Sequence, residues 1–161
     1  MTGKTHVACG TTALLVLNLN QSLYVPYVPN RVLYAVGLAT VGLGSLLPDI
    51  DIPDSKLGHM VPLISKHLTH RGITHTLLFP LLLFYGTILC MNNMIIGGLL
   101  LGLFFGWIFH IFADLFNRKG VPLLWPLMTQ HFHVATVKTR SVGERIFLVI
   151  WCVVCLALSQ L

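Results

Sequence analysis

The stretch MIIGGLLLGLFFGWIFHIFADLF, residues 94–116, is clearly long enough and apolar enough to cross a bilayer, which takes about 20 residues at about 1.5 Å per residue. It closes on His110 and Asp114, two side chains that are costly near lipid unless paired or bound to metal. At i and i+4 they share one helix face and can grip one cation between an imidazole and a carboxylate. Gly98, Gly102 and Gly106 precede them at the same four-residue interval. This row of small residues predicts that another helix packs closely and brings its own ligands alongside. The competing reading is a His–Asp hydrogen bond that serves only helix packing.

Composition supports a membrane setting for the whole chain. It has 161 residues, of which 55% are hydrophobic and 9% charged, and a mean hydropathy of +0.82, outside the range of soluble domains. A single domain over residues 1–161 is expected, because no Ser/Pro-rich linker divides the sequence. The net charge of +5 would suggest nucleic acid in a soluble protein, but the basic residues sit between apolar segments, where lipid headgroups and topology account for them. No nucleic-acid partner is expected. Cys9, Cys90, Cys152 and Cys155 lie in or beside apolar segments and read as free thiols, the Cys152–Cys155 pair included.

Five apolar segments run at about Thr5–Leu19, Val32–Leu47, Leu77–Met91, Met94–Phe116 and Ile146–Leu158. The fold class expected is all-α, a polytopic membrane bundle of four to five short helices, the fifth being the weakest. Tyr24 and Tyr27 suit an interfacial belt. Asn92-Asn93 makes a polar turn joining the third and fourth segments as an antiparallel hairpin. With the N-terminus inside, nine basic residues, Lys4, Lys56, Lys66, Arg71, Arg118, Lys119, Lys138, Arg140 and Arg145, face the cytoplasm and Arg31 alone falls outside. That bias predicts a multi-pass protein with a cytoplasmic N-terminus.

The same parity carries the chemistry to one face. His6 opens the first helix, Asp49 and Asp51 follow the second, His70 and His75 precede the third, and His110 and Asp114 close the fourth. All should meet at the cytoplasmic surface. Pro48 and Pro53 hold the Asp49–Asp51 turn extended, so that both carboxylates reach one cavity. Thr74 reads as the N-cap of the third helix. Arg71, between the two histidines, has the planar fork that bonds two phosphate oxygens at once, or else it contacts headgroups. His59, His67, His131 and His133 lie in loops and are less constrained.

Leu46-Leu47-Pro48-Asp49-Ile50-Asp51-x-Pro53-x-Ser55, His70-Arg71-Gly72-x-Thr74-His75-Thr76-Leu77-Leu78 and His110-x-x-Ala113-Asp114 with Gly120-Val121-Pro122-Leu123-Leu124-Trp125-Pro126 resemble, in that order, the YdjM family. The resemblance runs from His6 to about Arg145 and implies a bacterial inner-membrane protein, LexA-regulated as part of the SOS response and a predicted metal-dependent hydrolase. Glu144 fills the acidic position that the family tends to place before the last helix. Ile52 stands where the family often has His, and Asn117 where Thr is common. The family is in turn similar to the zinc phospholipase C and P1 nuclease group in ligand order. That similarity implies one or two zinc ions: Asp49 or Asp51, His70 or His75, His110 and Asp114 on one, and His6 sharing Asp114 on another.

The expected function is hydrolysis of a phosphate ester, lipid-linked or phospholipid, at the cytoplasmic membrane surface. In that reading Asp49 or Asp51 acts as general base and Arg71 steadies the phosphate. Two other readings stand beside it, a divalent-cation binder or carrier without hydrolysis and a structural stress-response membrane protein. Ligands gathered at one face argue against a carrier, which needs them near mid-membrane.

Overall fold

A computed structural model of the chain describes residues 1–19, 31–68 and 71–160. Tyr24, Tyr27 and His70 lie outside the described residues. The fold is all-helical, and among the described residues the only β-type pairs are two isolated bridges, Asn117 with Val137 and Val121 with Phe132. Five longer helices match the five apolar segments: α1 (Gly3–Leu19), α2 (Arg31–Gly44), α5 (Leu78–Leu89), α6 (Met94–Leu115) and α7 (Val142–Leu158). Two short helices, α3 (Lys56–Met60) and α4 (Pro62–Ser65), and 3-10 turns at Leu47–Asp51 and Ile73–His75 add to that count. They build the end of the molecule where the polar residues gather.

Helix boundaries follow local chemistry. Asn93 starts α6 by accepting a hydrogen bond from the Ile96 amide at 3.1 Å. The hydroxyl at the start of α5 belongs to Thr76, which accepts from the Leu78 amide at 3.3 Å. Thr74, expected there, lies one turn earlier and turns its hydroxyl to Asp51 instead. The Asp49–Asp51 segment is likewise not extended. Pro48 sits in the first turn of a 3-10 helix, where its missing N–H costs nothing. In an extended chain i and i+2 share a face, whereas three residues per turn set Asp49 and Asp51 about 240° apart. The two carboxylates therefore meet different atoms, Asp49 the Nε2 atoms of His75 and His110 and Asp51 the Nδ1 of His75 with the Thr74 hydroxyl.

The helices pack as the small residues predict. A methyl on Gly106 would lie 2.2 Å from the Val41 carbonyl oxygen and 2.6 Å from the Ser45 amide, and one on Gly44 would lie 2.5 Å from the Leu103 carbonyl oxygen. Gly102 meets the Thr40 side chain in the same way. α2 and α6 thus touch backbone to backbone along this seam. Gly98, the first of the row, has nothing within 4 Å of its Cβ position and takes no part.

The interior and the surface are inverted relative to a soluble protein. The largest fully buried side chains include His6, His75, His110, Asp51 and Asp114, while Leu81, Leu82 and Leu89 on α5 and Val149, Val153 and Leu156 on α7 are exposed. Such a surface is solvated by lipid. Among the described residues one helix, Ile95–Leu115, is long and apolar enough to span a membrane by itself.

Gly106→Ala should lower the thermal midpoint and loosen the site, because the added methyl collides with backbone that has no rotamer to yield. Gly98→Ala, with open space around it and better helix propensity by about 1 kcal/mol, should leave the midpoint unchanged or raise it. Thermal unfolding of the two variants in detergent checks the pair.

Candidate metal centre

Each of the four sequence blocks delivers side chains to one buried cluster. His6 comes from the first turns of α1, Asp49 from the 3-10 turn after α2, His75 from the 3-10 turn before α5, and His110 and Asp114 from the last turns of α6. Two sets of three have ligand atoms within 4.8 Å of one another, His6–Asp49–His110 and His75–His110–Asp114. All five residues are buried. His70 lies outside the described residues. His59, His67, His131 and His133 are exposed and belong to neither set.

Hydrogen bonds assign the proton on two of the imidazoles. His110 Nδ1 lies 2.7 Å from the Ser45 carbonyl oxygen, which can only accept, so Nδ1 carries the proton and Nε2 presents a lone pair. His75 Nδ1 lies 3.3 Å from Asp51 Oδ2 and 3.0 Å from the Thr74 hydroxyl. That hydroxyl donates its hydrogen to the same Asp51 oxygen at 2.8 Å, so it meets Nδ1 as an acceptor. His75 Nδ1 is therefore the donor in these contacts, and Nε2 is the nitrogen turned to the cluster. The two Nε2 atoms face each other at 3.3 Å. Facing nitrogens at this distance are held by a shared cation, which can be a proton or a metal ion.

The remaining distances suit a cation. Asp49 Oδ1 is 3.7 Å from His110 Nε2 and 3.9 Å from His75 Nε2, and Asp114 Oδ2 is 3.8 Å from His75 Nε2. Donors bound at about 2.0–2.2 Å in a tetrahedral array lie about 3.3–3.6 Å apart, so these three pairs need to contract by only a few tenths of an ångström. His6 stacks on His110 with ring centroids 3.7 Å apart, and neither of its ring nitrogens has a hydrogen-bond partner although both are buried. A carboxylate oxygen, Asp114 Oδ1, lies 3.5 Å from its Nε2. An orphaned imidazole costs about 1–3 kcal/mol, which metal ligation would remove. These residues fit a divalent metal. With Nδ1 committed to Ser45, His110 can serve only one ion.

Asp51 and Arg71 stand behind the ligand set. Asp51 accepts from the Thr74 hydroxyl and from the Arg71 backbone amide, both at 2.8 Å, and orients His75 through Nδ1. A carboxylate behind a ligating histidine fixes its tautomer and raises its basicity. The Arg71 guanidinium contacts Asp114 Oδ2 at 2.6 Å and donates to the Gly120 carbonyl oxygen. Its backbone is left-handed, with φ of 59°. For a non-glycine residue that costs about 1–2 kcal/mol, and these contacts hold it in place. Asp114 also receives the Met1 amino group. Burial pushes the Asp49 carboxyl up from its ordinary value, with the His110 imidazole pulling partly the other way.

Several parts of the centre have no side-chain signal in the sequence. The Ser45 and Gly120 carbonyls act through the backbone, and the only hint is that Gly120 opens the Gly-Val-Pro run. Gly120 is left-handed at φ of 64°. A Cβ there would meet the Phe132 carbonyl oxygen at 2.6 Å. Trp107 donates from Nε1 to the Thr74 carbonyl at 2.9 Å and so ties α6 to the turn that carries His75. Glu144 reaches across to α1, accepting from the Thr2 amide at 2.5 Å and the Thr5 hydroxyl at 2.7 Å.

Comparison with known proteins follows the same residues. A family model described as YdjM inner membrane protein matches residues 1–160. The uncharacterized protein YvsG of Bacillus subtilis (strain 168) is 32% identical over 152 residues, 92% of this chain and 88% of that protein. The inner membrane protein YdjM of Escherichia coli (strain K12) is 43% identical over 90 residues, 52% of this chain and 46% of that protein, and the protein of the same description from Shigella flexneri matches equally. No solved structure matches. The lipid-facing surface, the buried histidine–aspartate centre and the length of the match lead to one conclusion: the chain belongs to the YdjM family of inner membrane proteins.

Proposed function

We propose that the chain is a multi-pass inner-membrane protein with a cytoplasmic N-terminus, and that it hydrolyses a phosphate ester at a divalent-metal centre, zinc in one or two copies, on the cytoplasmic face. The observation that carries the metal is the buried imidazole and carboxylate set, in which both ring nitrogens of His6 have no hydrogen-bond partner and His75 Nε2 and His110 Nε2 lie 3.3 Å apart. When bound, the cation supplies a water of lowered pKa and neutralises charge on the phosphoryl oxygen.

The protein's own groups divide the remaining work. His75, His110, Asp49 and Asp114 hold the ion, and His6 joins them through the ring nitrogens that lack partners. Asp51 keeps His75 in the ligating tautomer. Asp49, at 8% exposure, is the least enclosed of the ligand carboxylates and serves as the general base when one of its oxygens is not on the ion. The Arg71 guanidinium, already 2.6 Å from Asp114, stands where charge on a phosphoryl group beside the ion needs a donor. A phospholipid or another lipid-linked phosphate is the substrate class, since the polar end of the bundle lies where headgroups are.

Metal analysis of protein purified in neutral detergent tests the first half of this reading. Bound divalent metal is expected in the wild type, with Asp114→Ala losing more of it than His6→Ala; protein free of metal after reconstitution with zinc would end the proposal. Asp51→Asn should weaken metal binding by about 10–100-fold without abolishing it, as loss of a carboxylate behind a ligand does, whereas His75→Ala should abolish it.

Turnover tests the second half. Arg71→Lys should keep its metal and lose about 10–100-fold in phosphate-ester hydrolysis, the worth of one charge-assisted bidentate contact of about 1.5–3 kcal/mol. A fully metallated wild type inactive on a broad panel of phosphate esters and phospholipids would leave metal binding without hydrolysis.

A further inference from the structure

A cavity of about 1060 Å³ opens beside the metal centre, between the start of α1, the 3-10 turn at Leu47–Asp51, α3 and the segment before α7. Of the five candidate metal ligands, Asp49 alone reaches its wall. Arg71 does not line it, because its guanidinium is buried against Asp114 and Gly120. Three other cations do: Lys4 on α1, Lys56 on α3 and Arg140, all exposed. Apart from Asp49, Asp54 is the one acidic residue on the wall, so the cavity is net cationic where it meets water.

Most of the remaining lining is apolar, with Thr2, Ser55 and Thr139 as its hydroxyl groups. Val7 on α1, Leu46 just after α2 and Leu57 on the short helix α3 are among these apolar residues. The seam between α1 and α2 carries the apolar wall onward, since a methyl on Gly42 would sit 3.8 Å from Val7 Cγ1. Ligand pockets for drug-sized molecules hold about 300–1,000 Å³. This cavity is at the top of that range, far larger than inorganic phosphate requires, and a small anion would leave most of its apolar wall uncovered.

We propose that this cavity admits a lipid with a phosphate headgroup, the headgroup held by Lys4, Lys56 and Arg140 and the hydrocarbon laid against Val7, Leu46 and Leu57. The ester then meets the metal centre from the Asp49 side. The assignment of a substrate role rests on the hydrolase reading above; the binding itself does not. Within the cavity the charge that meets the headgroup comes from the three rim cations, Arg71 being held behind the wall by Asp114 and Gly120.

The test is equilibrium binding of octyl phosphate, below its micelle concentration, to the full chain in neutral detergent. Inorganic phosphate and octyltrimethylammonium serve as the headgroup-only and opposite-charge probes. Octyl phosphate should bind and the other two should not. The triple variant Lys4→Gln, Lys56→Gln, Arg140→Gln should bind it about 10–100-fold more weakly. Leu57→Trp, which fills the cavity without touching charge, should weaken it as well while metal content stays at the wild-type level. Unchanged affinity in the triple variant, or inorganic phosphate binding as tightly as octyl phosphate, would overturn the proposal. Cation-dependent binding of octyl phosphate without hydrolysis of any ester would retire the hydrolase reading and leave the pocket. Hydrolysis of a lipid phosphate with the same KM in wild type and triple variant would do the reverse.

Discussion

At Gly106 the backbone of α6 comes so near to Val41 in α2 and to Ser45 just beyond it that a single methyl group would overlap both. Most of the polar centre is built outward from this contact. The Ser45 carbonyl can fix the His110 ring because the two helices are this close, and α2 must then end at Gly44 and turn through Leu47–Asp51, which sets Asp49 against the same imidazole. A hydrophobic driving force does not operate between helices in lipid, so such an approach depends on small residues and on hydrogen bonds that reward it. Here the reward is a carbonyl-to-imidazole bond at the place where chemistry is concentrated.

The centre concentrates charge in a region that solvates it poorly. Asp49, Asp51 and Asp114 are all buried, and each is answered by specific partners: the two imidazoles for Asp49, backbone and hydroxyl donors for Asp51, and the Arg71 guanidinium with the Met1 amino group for Asp114. Removing any one partner would strand a charge, the costly event in a buried network. Arg71 carries several of these obligations at once, through its amide to Asp51 and its side chain to Asp114 and Gly120. A left-handed arginine is a small cost beside that.

How far this was legible in the sequence can be followed residue by residue. The five long helices and the gathering of His6, Asp49, His75, His110 and Asp114 were legible, because each block sits at an end of an apolar segment. His110 and Asp114 followed from helical spacing alone. The role of Asp51 did not, since an extended turn and a 3-10 turn differ by nothing that composition reveals and only the second separates the paired carboxylates. Thr74 and Thr76 offer the same hydroxyl two residues apart, and which one caps α5 depends on where Asp51 lies. Gly98 shares its spacing with Gly102 and Gly106 but stands beyond the region where α2 crosses. Carbonyl groups such as those of Ser45 and Gly120 have no side-chain letter at all.

The bonds from Glu144 to Thr2 and Thr5 join residues separated by most of the chain. A ribosome releases the first helix long before the start of the last one is made, and domains assemble from the N-terminal side as synthesis proceeds. The start of α1, which carries His6, is tied to α6 by the Met1 amino group on Asp114 and by the stack of His6 on His110. The Glu144 bonds join these ties only once α7 has been made. A product truncated before α7 therefore lacks one of the contacts that seat His6.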